Sequence, residues 1–226
     1  MPTITSRHNP LVKRVREAIR EHAGEIVLEG PKSVDDAIAG GWKPIMVLRS
    51  GVDLSAEVFD ALAETKTSQG VIALFERPPQ ANLFARRDTI VVALDGVQDP
   101  GNVGTIVRLA AAFDAGGVAL LPGCADPYSP KSIRASAGAI LSVPIANVTI
   151  EELRWPIFVT AADGSPENPP SREAILVFGS EGRGVSSEIA ARATSLAIRT
   201  SGRVESLNVA ASAAILLSRS FELRKT

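Results

Sequence analysis

The chain has 226 residues, 45% of them hydrophobic, enough to bury a core in one large domain or two small ones. A formal net charge of −1 supplies no global attraction to nucleic acid, and with 4% aromatic residues stacking platforms are scarce. A single cysteine, Cys124, excludes an internal disulfide; no apolar run approaches the ~20 residues of a membrane span and no apolar leader opens the chain, so a cytoplasmic protein is expected.

Residues 1–20 concentrate Arg7, Lys13, Arg14, Arg16 and Arg20 against Glu17. Pro10 suits the first turn of a helix with Leu11, Val15, Ala18 and Ile19 facing inward and the basic side chains outward. Arg7, Lys13, Arg14 and Arg16 are therefore candidates for RNA phosphate contact, although a solvated helix face explains the same pattern. IVLEG then reads as a strand, PKSVDDAIAGG as a helix ended by glycine, PIMVLRS as a strand, SAEVFDALAET as a helix and VIALF as a strand. This is a small α/β domain over residues 1–78. Residues 79–88, entered through Pro78-Pro79 and mostly polar, read as a linker in which Leu83 and Phe84 dock onto a domain.

Residues 89–226 read as a second domain of repeated strand and helix, which implies parallel pairing. TIVVAL is β-branched and apolar and stops at Asp95-Gly96. A helix is expected to start near Asn102, with Asn102 as its N-cap, Val103, Ile106, Val107 and Ala110 on its buried face, and Arg108 pointing outward. VALL and VPIANV read as strands around a helix PKSIRASAGAI; Thr149 and Glu152 form a capping box; PIFVTAA is a strand and DGSPENPPSRE a surface loop. AILVF, the helix SSEIAAR, TSLAI and a long helix from about Glu205 to Leu223 follow.

Chemistry is narrowed by absence. Both histidines, His8 and His22, fall in the first domain, and no GxSxG, GxxxxGK[ST], CxxC or GxGxxG occurs, which removes several hydrolase, nucleotide and metal readings. Asn102, Arg108, Glu181, Ser206 and Asn208 remain, polar residues embedded in glycine-rich or strand-end segments that could converge in one cleft, and strand-end loops are where α/β folds bind ligands. The glycines of FGSEGRG, Gly179, Gly182 and Gly184, let a loop follow a ligand closely or merely turn. Ser206 and Asn208 could equally cap the last helix. Its run of Ala210, Ala211, Ser212, Ala213 and Ala214 fits a dimer helix or a tightly packed core helix.

Three motifs in order, NVGTIVR, FGSEGRG and VESLNVAASAAILL, resemble the signature motifs of the SpoU (TrmH-like) RNA ribose 2′-O-methyltransferases of the SPOUT class. The resemblance covers about residues 89–223, and the first eighty residues resemble the small L30e-like α/β RNA-binding domain that many members carry in front. It implies a parallel sheet with a deep trefoil knot, a homodimer, no metal, and S-adenosyl-L-methionine as cofactor, held by Ala161, Gly179, Glu181, Gly182, Ile198, Leu207 and Asn208. It implies a catalytic set of Asn102, Arg108, Glu181, Ser206 and Asn208, with Arg108 as the family's catalytic arginine. A guanidinium is a poor base, and its forked donors suit a phosphate beside the target ribose, leaving the proton to water or Glu181. The expected partner is RNA, ribosomal in preference to transfer RNA. A non-catalytic RNA-binding protein and a small-molecule enzyme on a nucleotide-binding domain are the rival readings. The motifs depart from the family at Ile198-Arg199-Thr200, where members commonly carry Ile-Pro and an apolar residue.

Overall fold

The computed structural model describes residues 2–21, 24–63, 68–165 and 169–225. They form two compact units, one of Met1–Pro79 with Tyr128–Ile133, the other of Gln80–Pro127 with Arg134–Thr226. His22, the last residues of the helix read in SAEVFDALAET and part of the loop read in DGSPENPPSRE lie outside the described residues.

In the first unit, helix α1 (Pro10–Glu21) opens where Asn9 Oδ1 accepts from the Leu11 N–H at 2.9 Å. It buries Val12, Val15 and Ala18; of the expected face Val15 and Ala18 are buried, Leu11 and Ile19 are half-buried at its edges, and Val12 is added. Strands β1 (Glu25–Glu29), β2 (Pro44–Arg49) and β3 (Val71–Glu76) form an antiparallel sheet in the order β1-β3-β2. Helix α2 (Pro31–Ala39) connects β1 to β2 and ends at Gly40. Helix α3 (Ala56–Asp60) starts at Ser55, whose hydroxyl accepts from Val58 N–H, and is shorter than expected. The chain tightens after Asp60, with Leu62 N–H donating to Phe59 O at 2.9 Å, and this turn seats Leu62 in the core with Val12, Val58 and Phe59.

The second unit is built on a six-stranded sheet in the order β6-β5-β4-β8-β7-β9, every neighbouring pair parallel. Its strands are β4 (Ile90–Asp95), β5 (Gly117–Leu120), β6 (Ile145–Asn147), β7 (Ile157–Ser165), β8 (Ala174–Gly179) and β9 (Ala193–Leu196). The unbroken apolar runs of β4 and β8 mark strands covered on both faces, and residues 90–94 and 174–178 are all buried. One face packs Val91, Ala93, Ile175 and Val177 against Leu83, Leu153, Trp155 and Ile189. Leu83 thus belongs to the core of this unit, with Phe84 edge-on to Trp155 at 5.2 Å.

Helix α4 (Pro100–Ala112) follows β4 and packs against the last helix, α7 (Val209–Lys225). Val103, Ile106, Val107 and Ala110 are fully buried, as the helical period predicts, and Arg108 is exposed. Helix α5 (Pro130–Ser136) stops four residues short of its expected end because Ala137 and Gly138 both take positive φ, after which a 3-10 turn runs Ala139–Leu141. The capping box is present, with Thr149 N–H donating to Glu152 Oε2 at 2.7 Å. β7 runs three residues into the segment read as a loop, because Ala197 N–H reaches Ser165 O at 2.8 Å and prolongs the pairing with β9 beyond a bulge. Helix α6 (Ser187–Ala190) is a single turn between β8 and β9.

β5 and β6 extend the sheet to one side of β4, while β8, β7 and β9 extend it to the other. The loops after β4 and β8 therefore leave side by side, from the paired ends Asp95 and Gly179. Such a switch of direction opens a crevice at the carboxyl ends of the strands.

Candidate active site

That crevice is organised by the start of α4. Asp99, not Asn102, is the N-cap: its carboxylate accepts from the backbone N–H groups of Gly101 and Asn102, and Pro100 takes the first helical position. The signal was the Asp-Pro pair. Because the N-cap falls three residues earlier than expected, Asn102 lies within the first turn and its side chain is released from capping. Its Nδ2 donates to Glu181 Oε1 in the loop after β8. Its Oδ1 accepts from Asn208 Nδ2 at 3.3 Å. Asn208 Oδ1 in turn accepts from the N–H groups of Ala210 at 2.8 Å and Ala211 at 3.3 Å, so α7 begins at Val209 rather than near Glu205. Three residues from three separate motifs thus form one line of hydrogen bonds.

The loop that carries Glu181 is closed on itself, with Ser180 N–H donating to Gly184 O at 3.1 Å and Gly184 N–H to Ser180 O at 2.8 Å. A Cβ on Gly179 would lie 2.1 Å from the Gly184 carbonyl carbon, so glycine is required there by the loop's own backbone. Gly182 has open space where a Cβ would stand. The Asp95 carboxylate accepts from Ser186 N–H at 2.6 Å and ties the end of this loop to β4.

Beside the hydrogen-bonded line, the ends of β7 and β9 and the approach to α7 enclose a cavity of about 610 Å³. Of the expected cofactor residues, Ala161, Ile198 and Leu207 line it, as does Ser206 from the catalytic set. Gly179, Glu181, Gly182 and Asn208 are not among the lining residues. Sequence reasoning missed Thr160 and Ala197 on the wall; nothing separates them from ordinary strand-end residues until the chain is folded. The volume lies in the range of small-molecule sites. Ile198, Val204 and Leu207 offer apolar surface, the hydroxyls of Thr160, Thr200, Ser206 and Ser212 offer hydrogen bonds, and Arg199 and Glu205 supply one charge of each sign. This donor set fits a nucleoside joined to a zwitterionic amino acid.

Arg108 stands on α4 six residues beyond Asn102, exposed and without a hydrogen-bond partner among the described residues. In the first unit the candidate phosphate-binding residues divide. Arg7 pairs with Glu57 and Arg14 with Glu25, while Lys13 and Arg16 are exposed on the same helix or its approach. No group of three His, Cys, Asp or Glu side chains among the described residues is placed to hold a metal ion.

A parallel α/β sheet with a cofactor-sized cavity and a polar line at its carboxyl edge defines a class of protein, an enzyme of the nucleotide-cofactor type. The comparisons narrow the class. The model of the SpoU rRNA methylase family matches residues 89–218. An uncharacterised tRNA/rRNA methyltransferase of Synechocystis is 32% identical over 258 residues, covering 95% of this chain and 92% of that protein. The 23S rRNA (guanosine(2553)-2′-O)-methyltransferase RlmP of Bacillus subtilis is 32% identical over 223 residues, covering 88% and 89%. The crystal structure of an AdoMet-bound rRNA methyltransferase from Sinorhizobium meliloti superposes with a TM-score of 0.88 at 28% identity, covering 98% of this chain and 97% of that one. The chain belongs to the SpoU rRNA methylase family.

Proposed function

We infer that this protein is an S-adenosyl-L-methionine-dependent methyltransferase that methylates a ribose 2′-hydroxyl in ribosomal RNA. The observation that carries the reading is the hydrogen-bonded set Asn102, Glu181 and Asn208 beside a cavity lined by Ala161, Ile198, Ser206 and Leu207. S-adenosyl-L-methionine supplies an electrophilic methyl group on a sulfonium. The chain's own residues bind it, orient the ribose and provide for the proton. Ala161, Ile198 and Leu207 hold the cofactor, and Ser206 stands on the same wall.

Arg108 grips the phosphate next to the target ribose. Its support is negative space: an exposed guanidinium with its fork of donors uncommitted suits bidentate recognition of a phosphate oxyanion, and the same group cannot serve as a base near neutral pH. Lys13 and Arg16 are exposed cations on α1, so that the domain of residues 1–78 binds structured RNA and residues 89–226 perform the transfer. Similarity to RlmP over both units favours ribosomal over transfer RNA. The trefoil knot and a homodimer belong to the same proposal. Sedimentation of the full chain tests the dimer. We place the protein in the cytoplasm with its substrate; no helix among the described residues is long and apolar enough to cross a membrane.

The test is transfer of labelled methyl groups to total RNA from cells lacking the protein, followed by mapping of alkali-resistant ribose positions. Label confined to one 23S or 16S position supports the reading. Label in transfer RNA moves the substrate, and no label with RNA still bound selects the non-catalytic alternative.

A further inference from the structure

The edge of the large sheet at β6 carries a second cavity. Residues 80–84 run beside β6: Ala81 N–H donates to Ile145 O at 3.3 Å, and Gln80 Oε1 accepts from Asn147 N–H at 2.7 Å. This covers an edge strand, which a plain polar segment would also do. Edge protection does not require the space left beside it, a cavity of about 340 Å³ at the small end of the range for small-molecule sites. Asn147, the last residue of β6, is on its wall, so the cavity lies at the carboxyl edge of the sheet, two strands from β4. At a strand spacing of about 4.8 Å that is roughly 10 Å along the edge from the end of β4. The turn that carries Glu152 and Arg154 is held in advance, because Arg192 donates to Ile150 O at 3.2 Å and to Leu153 O at 3.5 Å.

Hydrogen-bond direction narrows the occupant. A backbone N–H only donates, so the carboxamide atom that receives it is the oxygen, and the NH2 group is left over. Gln80 spends its oxygen on Asn147 N–H, and Asn82 spends its own on Phe84 N–H at 3.2 Å. Two NH2 donors therefore remain on the lining residues, joined by Arg154, exposed and without a partner among the described residues. Glu152 Oε2 accepts from Thr149 N–H at 2.7 Å, which leaves Oε1 as an acceptor. Asn147, with its side-chain amide open at both ends, suits any base, and Phe84 and Val148 supply apolar surface. The set calls for a flat group that presents a carbonyl oxygen next to an N–H, with an anion attached. Guanine and uracil carry that pair and a nucleotide phosphate is the anion, whereas adenine has no carbonyl for the two NH2 groups.

Resting on the methyltransferase reading above, we propose that this cavity binds one unstacked guanosine or uridine nucleotide of the substrate RNA, away from the target ribose. Gln80, Asn82 and Glu152 meet its base, and Arg154 meets its phosphate. Sequence-specific recognition of RNA reaches bases splayed out of a helix, and a base held at this edge sets which ribose lies at the crevice. It also gives a chain of net charge −1 a local hold on RNA that its overall charge does not provide.

The full chain, saturated with S-adenosyl-L-methionine, is titrated with uridine, guanosine and adenosine 5′-monophosphates while the side-chain amide resonances of Gln80, Asn82 and Asn147 are followed. The first two nucleotides move the Gln80 and Asn82 resonances saturably, and adenosine monophosphate binds there at least about fivefold more weakly. Two variants carry the test to RNA. Asn82→Asp keeps the oxygen for Phe84 N–H and loses the donor; Arg154→Ala loses the phosphate contact. Each raises KM for ribosomal RNA by about three- to tenfold with kcat at saturating RNA and cofactor affinity unchanged, and Arg154→Ala lowers the slope of log affinity against log salt by about 0.7.

Resonances that stay still at millimolar nucleotide, or that move equally with all three nucleotides, overturn the proposal. So does an unchanged KM in both variants while the wild type transfers methyl groups normally. If the wild-type chain neither binds the cofactor nor transfers a methyl group, the methyltransferase reading itself falls, and RNA falls with it as the source of the nucleotide.

Discussion

At the amino ends of the parallel strands, Arg224 from the last turn of α7 donates to Thr89 Oγ1 at 3.1 Å, to Asp114 O at 2.8 Å and to Phe113 O. Arg86 adds two bonds of 2.7 Å to the Asp114 carboxylate. At the carboxyl ends of the same strands Asn102, Glu181 and Asn208 bond to one another and to a helix end, and Arg108, farther along α4, is exposed with its donors uncommitted among the described residues. Both ends are polar. The difference lies in what the polar groups have already satisfied. Arg224 has a side chain 8% exposed and its two terminal nitrogens answer oxygens that the end of α4 leaves open, although its buried Nε finds no partner among the described residues, so its terminal donors are spent within the folded chain. Arg108 completes nothing among the described residues. An arginine of the first kind is read through stability and one of the second through turnover.

The largest expected effect breaks the comparison if it fails. Arg108→Lys preserves the charge and removes the fork, so turnover on ribosomal RNA falls by about 100-fold while the melting temperature and calorimetric cofactor affinity hold. A lysine variant near wild-type turnover would show that bidentate positioning is not the role of this side chain.

Arg224→Ala gives the opposite signature. Three oxygens at the part-exposed end of α4 lose this donor, a cost of about 1–2 kcal/mol, which lowers the melting temperature by roughly 2–8 °C and leaves turnover at 25 °C unchanged. Loss of turnover without loss of stability would mean that the amino ends of the strands communicate with the crevice.

Asp114 sharpens the same contrast through pH. Its hydrogen bond to Arg86, aided by the charges of Arg86 and Arg224, holds its carboxyl below the usual range against the opposing effect of burial. A depressed folded value means that the stabilisation is present above the unfolded value, near pH ~4, and is lost as pH falls through the lower folded value. The melting temperature of the wild type therefore drops on acidification below about pH 4, and part of that slope disappears in Asp114→Asn. Asparagine suits the site, because Asp114 has φ of 52°.

How far the sequence alone reached follows the same physical division. β4, β8 and the buried face of α4 were legible because an unbroken apolar run and a 3.6-residue period are local properties. The place of β8 beside β4 was not, since 79 positions separate Asn102 from the Glu181 it meets. Asn208 was read as either a cap or a site residue. The structure makes these one role, because its oxygen caps α7 while its nitrogen serves Asn102. Asp99 was passed over in favour of Asn102, although a carboxylate before proline is the stronger start signal. Gly179 was read as serving either ligand approach or a turn, and the crowding that requires glycine there comes from Gly184 of its own turn.

The smallest expected effect concerns the departure at Ile198-Arg199-Thr200. All three residues line the cavity, and the backbone of a strand-end loop survives exchange of a proline-containing sequence for a polar one. Arg199 is exposed, and among the lining residues it is the only cation facing one acidic residue, Glu205. A zwitterionic amino acid end carries a carboxylate that this guanidinium can meet, but in solvent such a pair contributes about 0.5–1 kcal/mol. Arg199→Ala therefore weakens calorimetric binding of S-adenosyl-L-methionine by about two- to fivefold, more at low salt than at high salt. Turnover at saturating cofactor stays at the wild-type level, because uniform binding energy lost at the cofactor's remote end raises KM without touching kcat. An affinity unchanged at low salt would place the amino acid end away from Arg199 and leave Glu205 and the hydroxyls of Thr200 and Ser206 to receive it.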